Sequence, residues 1–438
     1  MIEVQQNKKI ATCVICPSVA GHNVSLTEEN RLNEAVGLAL AINLDVVYSE
    51  TQHMREIKPS TFFSKGFIEK IKPIISENEL ELMVIDTRIS PIQQRNLEKE
   101  LKLKVIDRTA LILEIFGERA QTREGTLQVE LAHLTYQRSR LVRSWTHLER
   151  QRGGAGFLGG PGETQIELDR RIIDDKIVKI KKELEKVKKT REIQRGARRK
   201  VPYPIVALVG YTNAGKSTLF NHLAKSDVMA ADMLFATLDP TMRKITLPHG
   251  NEIILSDTVG FISDLPHELV MAFRATLEEV LNADIILHIR DIANPDTISQ
   301  RDDVLQVLDN LGLKNIKYSS NYVEVLNKID LLDESELISW KNKTLNSKNN
   351  VLVSAFDGRG CDELLELIED KLTSEFIECK VTMSAYDGKI VAWLYDNGKV
   401  IGTESEDDIA TYTVCLSADN LSRLNKMTAD NNRIVIRK

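Results

Sequence analysis

No apolar run in this chain of 438 residues approaches the roughly 20 needed for a helix to cross a bilayer. A helical membrane-spanning class is excluded, and only peripheral membrane contact stays open. No secretory leader opens the sequence either. Cysteine is scarce: there are five, an odd number that argues against a disulfide framework and for the reducing cytoplasm. Cys13 and Cys16 have the spacing of a redox or metal pair, yet they sit in an apolar strand-like run. Cys361, Cys379 and Cys415 supply no second close pair, so buried thiols are expected. One-signed charge is lacking as well. With a net charge of only −6, any grip on nucleic acid must come from a local patch.

What is present is the composition of an ordinary globular protein, 42% hydrophobic and 28% charged, over a length that suggests about three domains. Its most informative stretch is Gly210-Tyr211-Thr212-Asn213-Ala214-Gly215-Lys216-Ser217. The apolar run Pro204 to Val209 before it reads as a buried strand, and Thr218 to Leu223 after it as helix. That order is the context a P-loop requires. Glycines let successive N–H groups converge on phosphate oxygens, and the helix points its positive end at the same anion. Lys216 adds a full charge near the β- and γ-phosphates, and the Ser217 hydroxyl is placed to ligate Mg²⁺.

Three further segments follow strand-like runs: Asp257-Thr258-Val259-Gly260, Asn327-Lys328-Ile329-Asp330, and Ser354-Ala355 with Phe356. In an open parallel sheet the ligand crevice lies outside the carboxyl ends of the strands, so these segments should converge with the P-loop. Asp330 can accept two hydrogen bonds from the N1–H and 2-amino groups of guanine, an arrangement adenine cannot offer. The base is therefore read as guanine, and a site built to pair buried polar groups rejects a ligand lacking them. Between the P-loop and Asp257 runs Phe235-Ala236-Thr237-Leu238-Asp239-Pro240-Thr241. A switch loop there should give a threonine to Mg²⁺ and the γ-phosphate, with Thr237 favoured and Thr241 its competitor. Lys216, Thr237 and Gly260 are the expected catalytic contacts. Phe261 stands where many GTPases place a water-orienting glutamine, and an aromatic ring cannot do that. Slow intrinsic hydrolysis, stimulated by a partner, is expected.

The fold class that follows is α/β, with a P-loop GTPase domain on a mostly parallel sheet at residues 201–372. A small α/β domain (1–107) and an antiparallel helical hairpin (108–200) precede it, and a small α+β domain (373–438) follows. The hairpin is read from Leu127, Leu131, Leu134, Leu141, Trp145 and Leu148, which fall at spacings of three and four with Arg138 interrupting, and from Ile166, Ile173, Ile177, Ile180, Leu184 and Val187, which repeat the rhythm. A glycine-rich tip, 152–162, separates the two runs. From Lys176 to Lys200 there are twelve basic and three acidic residues, so the hairpin at 126–200 reads as an RNA-contacting element. In the last domain, Lys389 to Tyr395 and Arg433 to Ile436 read as alternating strand-like runs, the first flanked by turn signals at Asp387-Gly388 and Asn397-Gly398.

These strings resemble the HflX family of ribosome-associated GTPases. The likeness rests on Gly159-Gly160-Pro161-Gly162-Glu163-Thr164-Gln165 with Asp169-Arg170-Arg171, on the P-loop, on Leu234 to Thr241, on Asp257 to His267 and on Phe273 to Glu279. It implies a monomeric cytoplasmic factor that binds GTP, GDP and the large ribosomal subunit with its rRNA, and that in its GTP state splits stalled or idle ribosomes, notably under stress. It also implies ribosome-stimulated hydrolysis, an ATP-related activity in the N-terminal domain, and Mg²⁺ ligands at Ser217 and Thr237. The alternatives are a GTP-gated large-subunit binding factor without splitting, as in assembly or hibernation, and an RNA-remodelling ATPase. For the last, no second P-loop lies in residues 1–200. His288 to Pro295 departs from the family's more apolar strand by placing Arg290 within it.

Overall fold

The computed structural model describes residues 9–20, 26–151, 161–198, 203–225, 234–235, 238, 240–263, 277, 279–345, 347, 349–374, 376–384, 387–406, 409–428 and 434–437. Ala236, Thr237, Asp239 and residues 152–160 of the hairpin tip lie outside them. The chain divides into two compact units, Met1–Ile245 with Glu252–Cys361, and Thr246–Asn251 with Asp362–Lys438.

The first unit begins with β1 (Ala11–Val19), α1 (Glu28–Leu40), β2 (Asp45–Met54), α2 (Lys65–Glu77), β3 (Leu82–Ile85), α3 (Pro91–Leu101), β4 (Lys104–Asp107) and α4 (Arg108–Arg119). Strand–helix alternation forces parallel pairing, and the sheet order is β2-β1-β3-β4, parallel throughout. β3 is buried on both faces, as its unbroken apolar run requires. Cys13 and Cys16 are buried free thiols on β1, and burial pushes the Cys13 thiol up to about 12.

Two long helices follow, α5 (Arg123–Gln151) and α6 (Pro161–Arg198). Leu127, Leu131 and Leu134 pack against Ile173, Ile177, Ile180 and Leu184. Arg138, which interrupts the apolar rhythm of α5, reaches Asp174 at 3.1 Å. The side chains of Trp145, Leu148 and Ile166 lie outside the described residues. β5 (Ile205–Gly210), α7 (Lys216–Ala224), β6 (Thr241–Thr246), β7 (Glu252–Asp257), β8 (Ile285–Asp291), α8 (Thr297–Asn310), β9 (Tyr322–Asn327), α9 (Glu334–Thr344) and β10 (Asn350–Leu352) complete the unit. Their sheet runs β10-β9-β8-β5-β7-β6. β5 pairs in parallel with β7 and β8, β8 with β9, and β9 with β10, so the carboxyl ends of five strands face one way.

The second unit takes in most of α10 (Cys361–Ser374), then β11 (Phe376–Ser384), α11 (Gly388–Asn397), β12 (Lys399–Glu406), β13 (Ile409–Ser417), α12 (Ala418–Thr428) and β14 (Val435–Arg437). The sheet order is β12-β13-β11-β14, antiparallel throughout. One expectation is corrected here: Lys389 to Tyr395 is helix, not strand. Ile390 and Leu394, four residues apart, are both buried in this core, and Trp393 packs against it, which is the spacing of a helix face and not of an alternating strand.

Truncating Ile180 to alanine should cost about 2–4 kcal/mol of local stability, from lost burial plus the cavity left behind. Hydrogen exchange checks this: amides at 127–138 and 173–184 lose protection, whereas those of β5 keep theirs.

Candidate nucleotide site at the strand ends

β5 delivers Gly210 at its end, and the loop to α7 is held by close approaches. Gly215 has φ +92°, and a Cβ there would collide with the amide nitrogen of Asn327; only glycine meets both conditions. Lys216 is buried, and its Nζ donates to the Tyr211 carbonyl at 2.7 Å. Burial pushes its ammonium down to about 8, with the Asp257 carboxylate opposing. Ser217 Oγ donates to Asp257 Oδ2 at 2.7 Å, and Asp257 is fully buried at the end of β7. A hydroxyl and a carboxylate oxygen at this spacing form the hard donor set that a small divalent cation takes.

Asn327 ends β9 and ties two loops together. Its Nδ2 donates to the Ala214 carbonyl at 2.8 Å, and its Oδ1 accepts from the Ala355 N–H at 2.9 Å. Ser354 Oγ donates to Asp330 Oδ1 at 2.7 Å, and Lys328 pairs with Asp291 at 2.8 Å. Thus the P-loop, Asp257, Asn327, Lys328, Asp330, Ser354 and Ala355 form one bonded constellation.

Other residues singled out from sequence serve differently. Thr258 Oγ1 donates to the Leu208 carbonyl at 2.6 Å. Val259, Ile329 and Leu238 have buried side chains. Phe235 is buried edge-on against Phe116, ring centroids 4.7 Å apart. Phe356, just beyond Ala355, is 84% exposed. Thr241 opens β6. Phe261 is buried, its N–H donating to the Gly210 carbonyl at 3.1 Å and its carbonyl accepting from Thr212 at 2.7 Å. Arg290, the unusual charge within β8, pairs with Glu324 of the adjacent strand at 2.9 Å.

Sequence reasoning missed Glu34, Asp86, Arg108 and Ser263. All are buried; Glu34 and Ser263 bond the hydroxyl of Tyr211, and Arg108 links them to Asp86. Each is an unremarkable polar residue in sequence, and the bonds among them and to Tyr211 span 22 to 229 positions.

The chain matches four family descriptions in order. They are "GTP-binding GTPase N-terminal" over residues 29–117, "GTP-binding GTPase Middle Region" over 119–198, "50S ribosome-binding GTPase" over 205–328 and "HflX C-terminal domain" over 339–433. It is 47% identical to GTPase HflX of Magnetococcus marinus over 90% of this chain and 89% of that one. The chain belongs to the HflX family of GTPases. GTPase HflX of Escherichia coli K12 is 42% identical over 83% of this chain and 84% of its own, and that of Lacrimispora saccharolytica 43% over 86% and 87%. As an HflX-family GTPase, the chain binds and hydrolyses GTP, and P-loop GTPases normally do so with a divalent metal.

Replacing Asn327 with alanine removes two buried bonds of about 1–1.5 kcal/mol each. Affinities for GTP and GDP should fall together by about 100-fold, measured by fluorescent-nucleotide titration.

Proposed function

We propose that this chain couples a magnesium-bound GTP to the large ribosomal subunit and, in the GTP state, separates ribosomes into subunits. The observation that carries the nucleotide part is the Asn327 carboxamide, which bonds the phosphate loop to the Ser354–Ala355 loop and so brings Asp330 beside it. In this reading Gly210 to Ser217 cradles the phosphates, with Lys216 at the β- and γ-phosphates. Asp330 pairs the guanine edge, and the Ala355 loop with Phe356 borders the base. Ser217 and Thr237 hold Mg²⁺, which supplies charge neutralisation at the phosphates. Gly260 meets the γ-phosphate. The Phe261 ring is buried and carries no group that positions water, so intrinsic hydrolysis is slow and a partner accelerates it.

The ribosomal part rests on different support. Residues 205–328 match a description that reads "50S ribosome-binding GTPase". The hairpin adds the local basic surplus of residues 176–200, suited to an RNA backbone. We assign the chain's four segments to 1–107, 108–200, 201–372 and 373–438, and its working place to the cytoplasm.

Asp330→Asn should lower GTP affinity by about 100-fold through loss of charge-assisted bonds to the base, seen by calorimetry against the unaltered chain. Equal affinity of the native chain for GTP and ATP would overturn the guanine assignment. For the ribosomal activity, intact ribosomes are mixed with the protein and a non-hydrolysable GTP analogue and run on a sucrose gradient. Free subunits are expected, whereas co-migration with undivided particles would favour a binding factor that does not split.

A further inference from the structure

The loop residue Tyr211, the segment after Asp257 and the N-terminal sheet domain meet in one buried polar knot. The Tyr211 hydroxyl donates to Glu34 Oε2 on α1 and accepts from the Ser263 N–H at 2.7 Å. Ser263 Oγ donates to Glu34 Oε1 at 2.9 Å. Arg108, the first residue of α4, donates to that same Glu34 oxygen, to the Ser263 carbonyl at 2.9 Å and to Asp86. Burial works against the Arg108 charge, but Asp86 and Glu34 outweigh it and hold its pKa above the ordinary value. Burial and Glu34 push the Tyr211 phenol well above its usual range, so it stays a neutral donor. All five side chains are at most 9% exposed, and a buried charge that loses its partner is costly.

The switch loop leans on the same domain. Phe235 packs on Phe116 of α4, and a Cβ at Gly37 of α1 would lie 3.0 Å from Leu234 Cδ1. Both segments that flank the γ-phosphate position are therefore moored to α1 and α4.

That mooring has a consequence for the nucleotide. Gly260 is pressed onto the P-loop so closely that a Cβ would lie 2.8 Å from Thr212 Cγ2 and 3.0 Å from Lys216 Nζ. Phe261 continues the contact by bonding to Gly210 and Thr212. A terminal phosphoryl group at Lys216 must enter beside Gly260, and the backbone there cannot yield without moving Phe261 and, two residues on, Ser263. A diphosphate makes no such demand. We propose that the Glu34–Tyr211–Ser263–Arg108 knot is a latch that holds the arrangement suited to GDP and that GTP must loosen, so the N-terminal domain sets the preference between the two nucleotides. By reciprocity, a partner that draws α1 and α4 away from Ser263 raises GTP affinity by the same factor by which GTP raises the affinity for that partner. This inference rests on the assignment of the phosphates to the Lys216 loop.

The test measures GTP and GDP affinities of the full chain carrying Tyr211→Phe or Ser263→Ala, by competition against a fluorescent nucleotide. Each variant should raise the GTP-to-GDP affinity ratio by about tenfold, and the double variant by little more than either alone, because both cut the same knot. An unchanged or lowered ratio in both single variants, with GDP still bound, overturns the latch. A Lys216→Ala chain provides the separate control: undiminished affinity for both nucleotides there would overturn the phosphate assignment itself.

Discussion

One carboxamide, that of Asn327, is bonded at both ends to backbone that would otherwise belong to separate loops. Its amide side holds Ala214 of the phosphate loop and its oxygen holds Ala355. Gly215 is required beneath it because any Cβ would occupy the place of that amide. The positions of Lys216 and Ser217 follow, since Gly215 caps the helix they open. The position of Asp330 follows as well, through Ser354 on the adjoining strand end. An aspartate at 327 would offer no donor to Ala214, and a glutamine would carry its amide one bond too far.

Around this frame the structure spends buried charge where apolar packing would have sufficed for stability. Arg108 with Glu34 and Asp86, and Arg290 with Glu324, are ion pairs of low exposure. Replacing such pairs by well-packed hydrophobes is often neutral or stabilising, so their presence asks for another reason. For Arg290 the structure offers a local one: its second arm reaches Thr297, at the start of α8, beside Asp296. Asp296 in turn accepts from the Thr27 N–H at 2.9 Å and from Asn30, at the start of α1. The two charged clusters thus join the same pair of sheets at separate points.

Much of this was legible in the sequence because the signals are local. The strand, loop and helix across 205–224 and the hairpin seam through Leu134 and Ile177 each declare themselves within a few residues of periodicity or motif. The run at 389–395 reads locally as a strand because turn signals flank it, whereas Ile390 and Leu394, four residues apart, meet a sheet that lies beyond any local pattern. Arg290 departs from an apolar strand in sequence, and its partner Glu324 lies on the neighbouring strand. Glu34, Arg108 and Ser263 were not legible at all. Their meaning lies in contacts spanning up to 229 positions, and nothing in the type or spacing of a lone glutamate announces such a contact.

Asp107 and Arg108 are joined by one peptide bond, yet they face different neighbours. Asp107 accepts from the Tyr136 hydroxyl at 2.8 Å and pairs with Arg140 at 3.1 Å, both on the long helix α5, while Arg108 grips Ser263. Adjacent Cα atoms are fixed about 3.8 Å apart, so this dipeptide works as a short crank with no slack. The foot of the hairpin and the loop that follows Gly260 are thus anchored on neighbouring residues of one chain segment.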